Sequence, residues 1–183
     1  MKATGIVRRI DELGRIVIPK EIRRTMRIRE MDSIEIYTAG DGEIILKKYT
    51  PMGEMITFAK DYAESLAKIT GNIICITDKE NVVAASGNGK KNLENSTVSR
   101  GLSAAMTERK NIFASSSDKE YVPIIEDKDG GSYSQEIISP IIADGDILGT
   151  VIMLGKDVSR KFTSSDERIV AIAADFIGRH LAS

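Results

Sequence analysis

The sequence predicts two domains: a small, β-rich β-β-α-β-β unit in residues 1–50, and an α+β domain with an antiparallel sheet in residues 56–183, joined by a linker at 51–55. Three observations predict this. Residues 1–50 carry eleven Lys/Arg against eight Asp/Glu, whereas the remaining 133 carry fifteen against nineteen, in a chain of formal net charge −1. Such a split between a basic and an acidic part suggests two units with different partners. Thr50-Pro51 interrupts the pattern of strands, and the hydrophobic period behind it changes from two residues to the three-and-four spacing of a long helix. Beyond that helix, strand-like and helix-like segments alternate in an α+β order.

Within the first unit, Gly5 to Ile10 and Arg15 to Ile18 are β-branched runs between turn formers, predicting two short strands joined across Asp11-Glu12-Leu13-Gly14. Gly14 can take the positive φ that a tight connection needs. Pro19 stops the second strand and suits the start of a helix, predicted over Lys20 to Arg27 with Ile22 and Met26 on one apolar stripe. Ile34 to Thr38 and Glu43 to Tyr49 flank Ala39-Gly40-Asp41-Gly42 and predict a β-hairpin. So small a unit buries little surface, and its short strands leave open edges; interleaving with a second copy cures both, so an obligate dimer is expected.

Residues 1–30 hold nine basic side chains (Lys2, Arg8, Arg9, Arg15, Lys20, Arg23, Arg24, Arg27, Arg29) and four acidic ones (Asp11, Glu12, Glu21, Glu30). A basic cluster on a nearly neutral chain is the footprint of a polyanion-binding surface, although a solvated charged face has the same composition. Arginine in place of lysine at most of these positions favours phosphate or guanine edges, which its planar fork fits. Arg23, Arg24 and Arg27 spread over the helix face opposite Ile22 and Met26, successive residues turning by roughly 100°. Arg8 and Arg9 point to opposite faces if their segment is a strand.

The segments TGIVR, DELGR and VIPKEIRR, followed by IEIY and ILKKY, stand together in this order. With them residues 1–50 resemble the AbrB-type transition-state regulator domain. The resemblance implies a swapped-hairpin dimer that binds double-stranded DNA through Arg8, Arg9, Arg15, Arg23 and Arg24, with Lys2 a weaker candidate. One departure is Met31, where the family commonly has glycine in a turn. The resemblance also implies relaxed specificity for A·T-rich shape. The composition agrees, since residues 1–50 contain no Asn or Gln to read adenine bidentately.

The second part opens with a helix predicted from Met52 to Thr70, carrying Met55, Ile56, Ala59, Tyr62, Ala63, Leu66 and Ile69 at helical spacing and ending at Gly71. It can serve as domain core, as a dimer seam, or as both. Strands are predicted over Asn72 to Thr77 and Val82 to Ala85, then a polar loop over Ser86 to Asn92 and a helix over Ser96 to Glu108. Further strands follow at Ile112 to Ala114 and Tyr121 to Ile125, with a loop at Asp127 to Ser132. Gln135 to Ala143 and Ile147 to Leu154 form a hairpin across Asp144-Gly145-Asp146. A terminal helix with Ser164 and Glu167 as its capping box carries Ile169, Val170, Ile172, Ala173, Phe176, Ile177 and Leu181 as its apolar stripe.

This order, with the ISPIIADGDILGTVIML hairpin, resembles a GAF domain, a sensor module of bacterial regulators. An AbrB-type start joined to a GAF-like end resembles a family of regulators from spore-forming bacteria. The resemblance implies an activator and repressor of sporulation genes, nucleoid-associated in the forespore, and a homodimer or homotetramer held through both domains. The GAF-like part then either senses a small-molecule ligand or serves purely as an oligomerisation module. An antitoxin-like protein is a third class, disfavoured by a long folded tail.

Other motifs carry little. Gly87-Asn88-Gly89-Lys90-Lys91 lacks P-loop spacing, since Ala84 and Lys91 stand where Gly and Ser/Thr are needed. Asp127-Lys128-Asp129-Gly130 lacks the other ligands of a calcium loop. The single cysteine, Cys75, lies in an apolar strand and reads as a core residue. His180, the single histidine, sits near a helix C-terminus, where it favours the dipole. One His and one Cys make neither a zinc set nor a triad, so no metal, no cofactor and no enzymatic activity are expected. No apolar run approaches the ~18 residues of a membrane span, and the N-terminus lacks a signal-peptide core, so a cytoplasmic location is expected.

Overall fold

A computed structural model describes residues 4–49, 52, 55–90, 93–126 and 133–182, and the contacts of its backbone separate residues 1–49 from residues 50–183. In the first unit Pro19 (φ −58°) leads into α1 (Lys20–Thr25). The helix stops two residues short of the expected Arg27. Arg27 takes a left-handed φ of +52°, while Ile28 N–H bonds to Arg23 C=O at 2.7 Å and Arg27 N–H to Arg24 C=O at 3.3 Å. This pair of bonds is the Schellman closure, which caps orphan carbonyls and turns the chain. Strands β1 (Ile34–Thr38) and β2 (Ile44–Lys48) pair antiparallel from Ile34↔Lys48 to Thr38↔Ile44. Their connection bends at Asp41, φ +65°.

The two strands expected at 5–10 and 15–18 do not form within the single chain; both segments lie outside any ladder. A strand exists only with a partner for its N–H and C=O groups, and the ladder of β1 with β2 takes in neither segment. The turn between the segments is present: Gly14 N–H bonds to Asp11 C=O at 2.9 Å and Asp11 N–H to Arg15 C=O at 3.0 Å, with Gly14 at φ +75°.

The second unit is built on five antiparallel strands in the order β4-β3-β7-β6-β5. These are β3 (Ile73–Thr77), β4 (Val82–Ser86), β5 (Ile112–Ser115), β6 (Gln135–Ala143) and β7 (Asp146–Gly155). The period-two alternation sends Ile74, Ile76, Ile137, Ile141, Val151 and Met153 to one face. There they meet α2 (Ile56–Thr70) and α4 (Ser164–Leu181) through Ala59, Ala63, Ala67, Val170, Ala173, Ala174 and Ile177. Ile73, Cys75, Ile138, Ile152 and Leu154 point to the other face, covered by Leu102, Ala105 and Met106 of α3 (Arg100–Thr107) and by Ile124 and Ile125. Both faces are therefore dry, which explains why β3 is buried at every residue.

Several boundaries move for local reasons. α3 begins at Arg100, not Ser96, because Ser99 is its cap, with Oγ accepting Leu102 N–H at 3.0 Å. Residues before it instead make extended bridges, Asn81↔Thr97 and Val98↔Ile125. The segment Tyr121 to Ile125 is not a strand. Pro123 has no N–H to give to a ladder, and Val122 N–H goes to the side chain of Glu136. α4 has its capping box one residue earlier than expected, on Thr163 and Asp166. α2 runs from Ile56 and closes on Gly71 at φ +71°. The loop at 127–132 lies outside the described residues, as do Lys91 and Asn92 of the polar loop.

Cys75 is fully buried, and burial pushes its thiol up to about 12. A thiolate is the reactive form, so this is packing, not redox chemistry. His180 occupies the last turn of α4, and its ring stacks on Phe58 at 5.3 Å.

Candidate nucleic-acid interface

The first unit has almost no core of its own. Among its described residues Pro19 is the one buried side chain, and Val7, Leu13, Val17 and Met31 are 88%, 74%, 72% and 99% exposed. Ile6, Ile10, Ile16, Met26, Ile36 and Ile44 are exposed as well. Against this apolar background the charged side chains are distributed by the turn, the helix and the hairpin.

Arg8 and Arg9 precede the 11–15 turn and are both exposed, without a ladder to assign them opposite faces. Arg15 is held by Asp11, whose carboxylate accepts Arg15 N–H at 2.8 Å, Arg15 Nε–H at 2.8 Å and Leu13 N–H at 3.0 Å. Those hydrogen bonds, the Arg15 backbone bond first, hold the Asp11 carboxyl below its ordinary range. The Arg15 side chain remains 70% exposed, and its contact with Asp11 is made through Nε. Asp11 is the residue that sequence reasoning missed, and the four-residue spacing across a glycine turn was its signal.

On α1 the two arginines differ. Arg24 is exposed, whereas Arg23 is half-buried with its Nε enclosed and without a hydrogen-bond partner among the described residues. The helical wheel places Arg23 on an open face, whereas the structure half-buries it. Lys2 lies outside the described residues. The hairpin is pinned to this region by Lys48, which pairs with Asp32 at 3.0 Å and donates to Arg27 C=O at 3.1 Å. Lys47 lies over the Tyr37 ring at 4.5 Å. Met31 adopts φ +68°, the turn conformation that glycine takes without strain.

Among the described residues there is no group of three or more His, Cys, Asp or Glu able to hold a metal ion, and no helix is long and apolar enough to cross a membrane. The arrangement is that of a surface offering guanidinium groups from three local structures, suited to binding phosphates without covalent chemistry.

Comparison with known proteins bears on both units. A family model described as stage V sporulation protein T C-terminal, transcription factor, matches residues 54–182. A second model, antidote-toxin recognition MazE, bacterial antitoxin, matches residues 7–54. Stage V sporulation protein T of Bacillus subtilis (strain 168) is 44% identical over 183 residues, covering 99% of each chain. Transition state regulatory protein AbrB of the same organism is 65% identical over 51 residues, covering 28% of this chain and 52% of its own. The blue-light absorbing form of the Thermosynechococcus elongatus PixJ GAF domain superposes with a TM-score of 0.56 at 9% identity, covering 72% of this chain and 87% of that one. At that identity the likeness concerns the fold, and it agrees with the five-stranded sheet between helices described above. With an AbrB-type amino-terminal unit and a GAF-fold carboxy-terminal unit, the chain belongs to the stage V sporulation protein T family of transcription factors.

Proposed function

We propose that the chain is a DNA-binding regulator of sporulation genes that grips double-stranded DNA through Arg8, Arg9, Arg15, Arg23 and Arg24, with Lys2 contributing. The observation that carries this reading is the first unit itself: a basic surface on a segment whose apolar side chains find no cover in one chain. Apolar groups left in water at this density call for a second copy. Pairing residues 5–10 and 15–18 across an interleaved dimer would complete both the ladder and the core. Two copies then present two sets of guanidinium groups to one duplex. Binding is governed by phosphate contacts and A·T-rich shape, since the adenine-reading amides are absent from residues 1–50.

In this reading residues 1–50 bind DNA and dimerise, 51–55 link, and 56–183 sense a small molecule or stabilise a tetramer, and no catalytic residue is assigned. The protein works on the nucleoid in the forespore cytoplasm, activating some promoters and repressing others. The tetramer is favoured by the outer side of α2 and α4. There Phe58, Tyr62, Phe176 and His180 form a stack with centroid distances of 5.3 to 6.3 Å, and the same two helices expose Ile69 and Ile172.

The test is a salt-series titration of the full chain on A·T-rich duplex DNA, beside Arg15→Ala and Arg23→Ala. Removing one phosphate-binding guanidinium should lower the slope of log K against log salt by about 0.9 per site. Unchanged slope and affinity in both variants would remove them from the interface. Halving of the particle mass in Ile172→Glu/Phe176→Glu, with DNA binding retained, would support the tetramer.

A further inference from the structure

Glu136 is a buried acid in a place where the fold requires only an apolar side chain. It projects from β6 towards the α3 side of the sheet, in register with Leu154 of β7 and Ala114 of β5, and is 0% exposed. Its Oε1 accepts Val122 N–H at 2.7 Å. Its Oε2 is enclosed and has no hydrogen-bond partner among the described residues. An enclosed, half-satisfied carboxyl is tolerated as the neutral acid far better than as the anion.

The segment tied to it, Tyr121 to Glu126, runs without a ladder over the N-terminus of α3. Tyr121 OH donates to Tyr133 C=O at 3.3 Å, and the Ser99 hydroxyl, which caps α3, donates to Pro123 C=O. Ser99 N–H donates to Ile124 C=O at 2.9 Å, Ile125 bridges Val98, and Glu126 pairs with the exposed Arg100 at 3.4 Å. Among the described residues, the Glu136 contact is the one of the segment's hydrogen-bonded anchors whose acceptor is a buried side-chain carboxyl.

We propose that Glu136 and the segment Tyr121–Glu126 form a pH-sensitive strap, closed over the sheet while the carboxyl is protonated and released when it ionises. Ionisation strengthens the bond from Val122 but leaves Oε2 as an enclosed, unpartnered anion. Burial is the larger effect and pushes the group up to about 8, against the lowering by the Val122 N–H. Among the described residues, the groups around it supply no compensating charge. Tyr121 faces it from the strap and Tyr133 stands behind, both pushed up to about 12, chiefly by burial. Cys75 of β3 is likewise neutral, and the Lys156 ammonium lies 5.8 Å from the Tyr133 ring centre. α3 offers Arg100, which is directed outward to Glu126; β5 has no ionisable residue, and β7 has Asp146 at its hairpin end. An opened strap returns the carboxyl to its ordinary value of 4.5. The opening equilibrium therefore rises with pH by up to about tenfold per unit between these values and levels off above the upper one.

Hydrogen exchange of the full chain from pH 6 to 9, corrected for the intrinsic pH dependence of amide exchange, tests this without reference to DNA binding. Failure of the strap is thus distinguishable from failure of the regulatory reading. Protection across 121–126 should fall about tenfold per unit up to pH 8 and then flatten, staying below that of the α4 core throughout. In Glu136→Gln, which keeps an acceptor for Val122, protection should not depend on pH. A flat wild-type profile, or the same dependence in the variant, overturns the strap. Should the variant not fold, infrared titration of the wild type serves: a protonated carboxyl band persisting to about pH 8 supports the proposal, and its loss by pH 6 overturns it.

Discussion

Asp11 binds Arg15 twice, through the backbone N–H and through the side-chain Nε, each at 2.8 Å. The acid thus shapes the turn and aims the arginine that follows it. This costs the surface one negative charge, and what it returns is order in a loop that would otherwise have to be ordered on binding.

Asp11→Ala should accordingly weaken DNA binding several-fold while leaving the salt slope unchanged, because the number of cations is the same and only their order is reduced. Tighter binding by the variant would show that charge, not order, dominates at this position. The same titration series as for Arg15→Ala measures both quantities.

Met31→Gly should stabilise the first unit by up to about 1 kcal/mol, since a left-handed conformation costs a side chain roughly 1–2 kcal/mol and glycine's unfolded-state entropy returns part of it. The Met31 side chain is 99% exposed in the single chain, so its removal loses no packing there. A urea midpoint below that of the wild type would instead mean that a partner chain covers the methionine.

Gly178→Ala reverses an ordinary rule. Alanine in a helix interior normally stabilises by about 1 kcal/mol over glycine. Here a Cβ would stand 2.2 Å from Ile142 C=O, a backbone atom that cannot swing away. Parting α4 from β6 should cost more than the propensity gained, about 1–3 kcal/mol net, read as a lower urea midpoint.

The stability of the second unit should decline as pH rises from about 5 to 8. Between 4.5 and about 8 the folded form keeps a proton on Glu136 that the unfolded form has released, so raising the pH favours unfolding by at most ~1.4 kcal/mol per unit. Above the upper value both forms are ionised and this contribution to the slope vanishes. Chemical denaturation at several pH values should show the decline in the wild type and a flatter profile in Glu136→Gln.

Much of the second unit was legible because burial imposes a period. β6 spans Gln135–Ala143 as the apolar run predicted, and Gly71 closes α2 because a left-handed cap suits glycine. Tyr121 to Ile125 misled, since β-branched composition resembles a strand while Pro123 and the Val122–Glu136 bond divert the backbone from any ladder. In the first unit the turn at Gly14 and the hairpin were legible, being local. The segments at 5–10 and 15–18 were read as strands, and among the described residues neither joins a ladder in the single chain.

The sequence by itself determined the basic first unit, the order of elements in the second, and the caps and turns that end them. These depend on residue type and on neighbours a few positions away. The tertiary structure decided what distant residues do to one another: that Arg23 is half enclosed while Arg24 is open, and that Glu136 loses its water to α3 and the segment at 121–126. Desolvation is set by what covers a group, and what covers it comes from elsewhere in the chain.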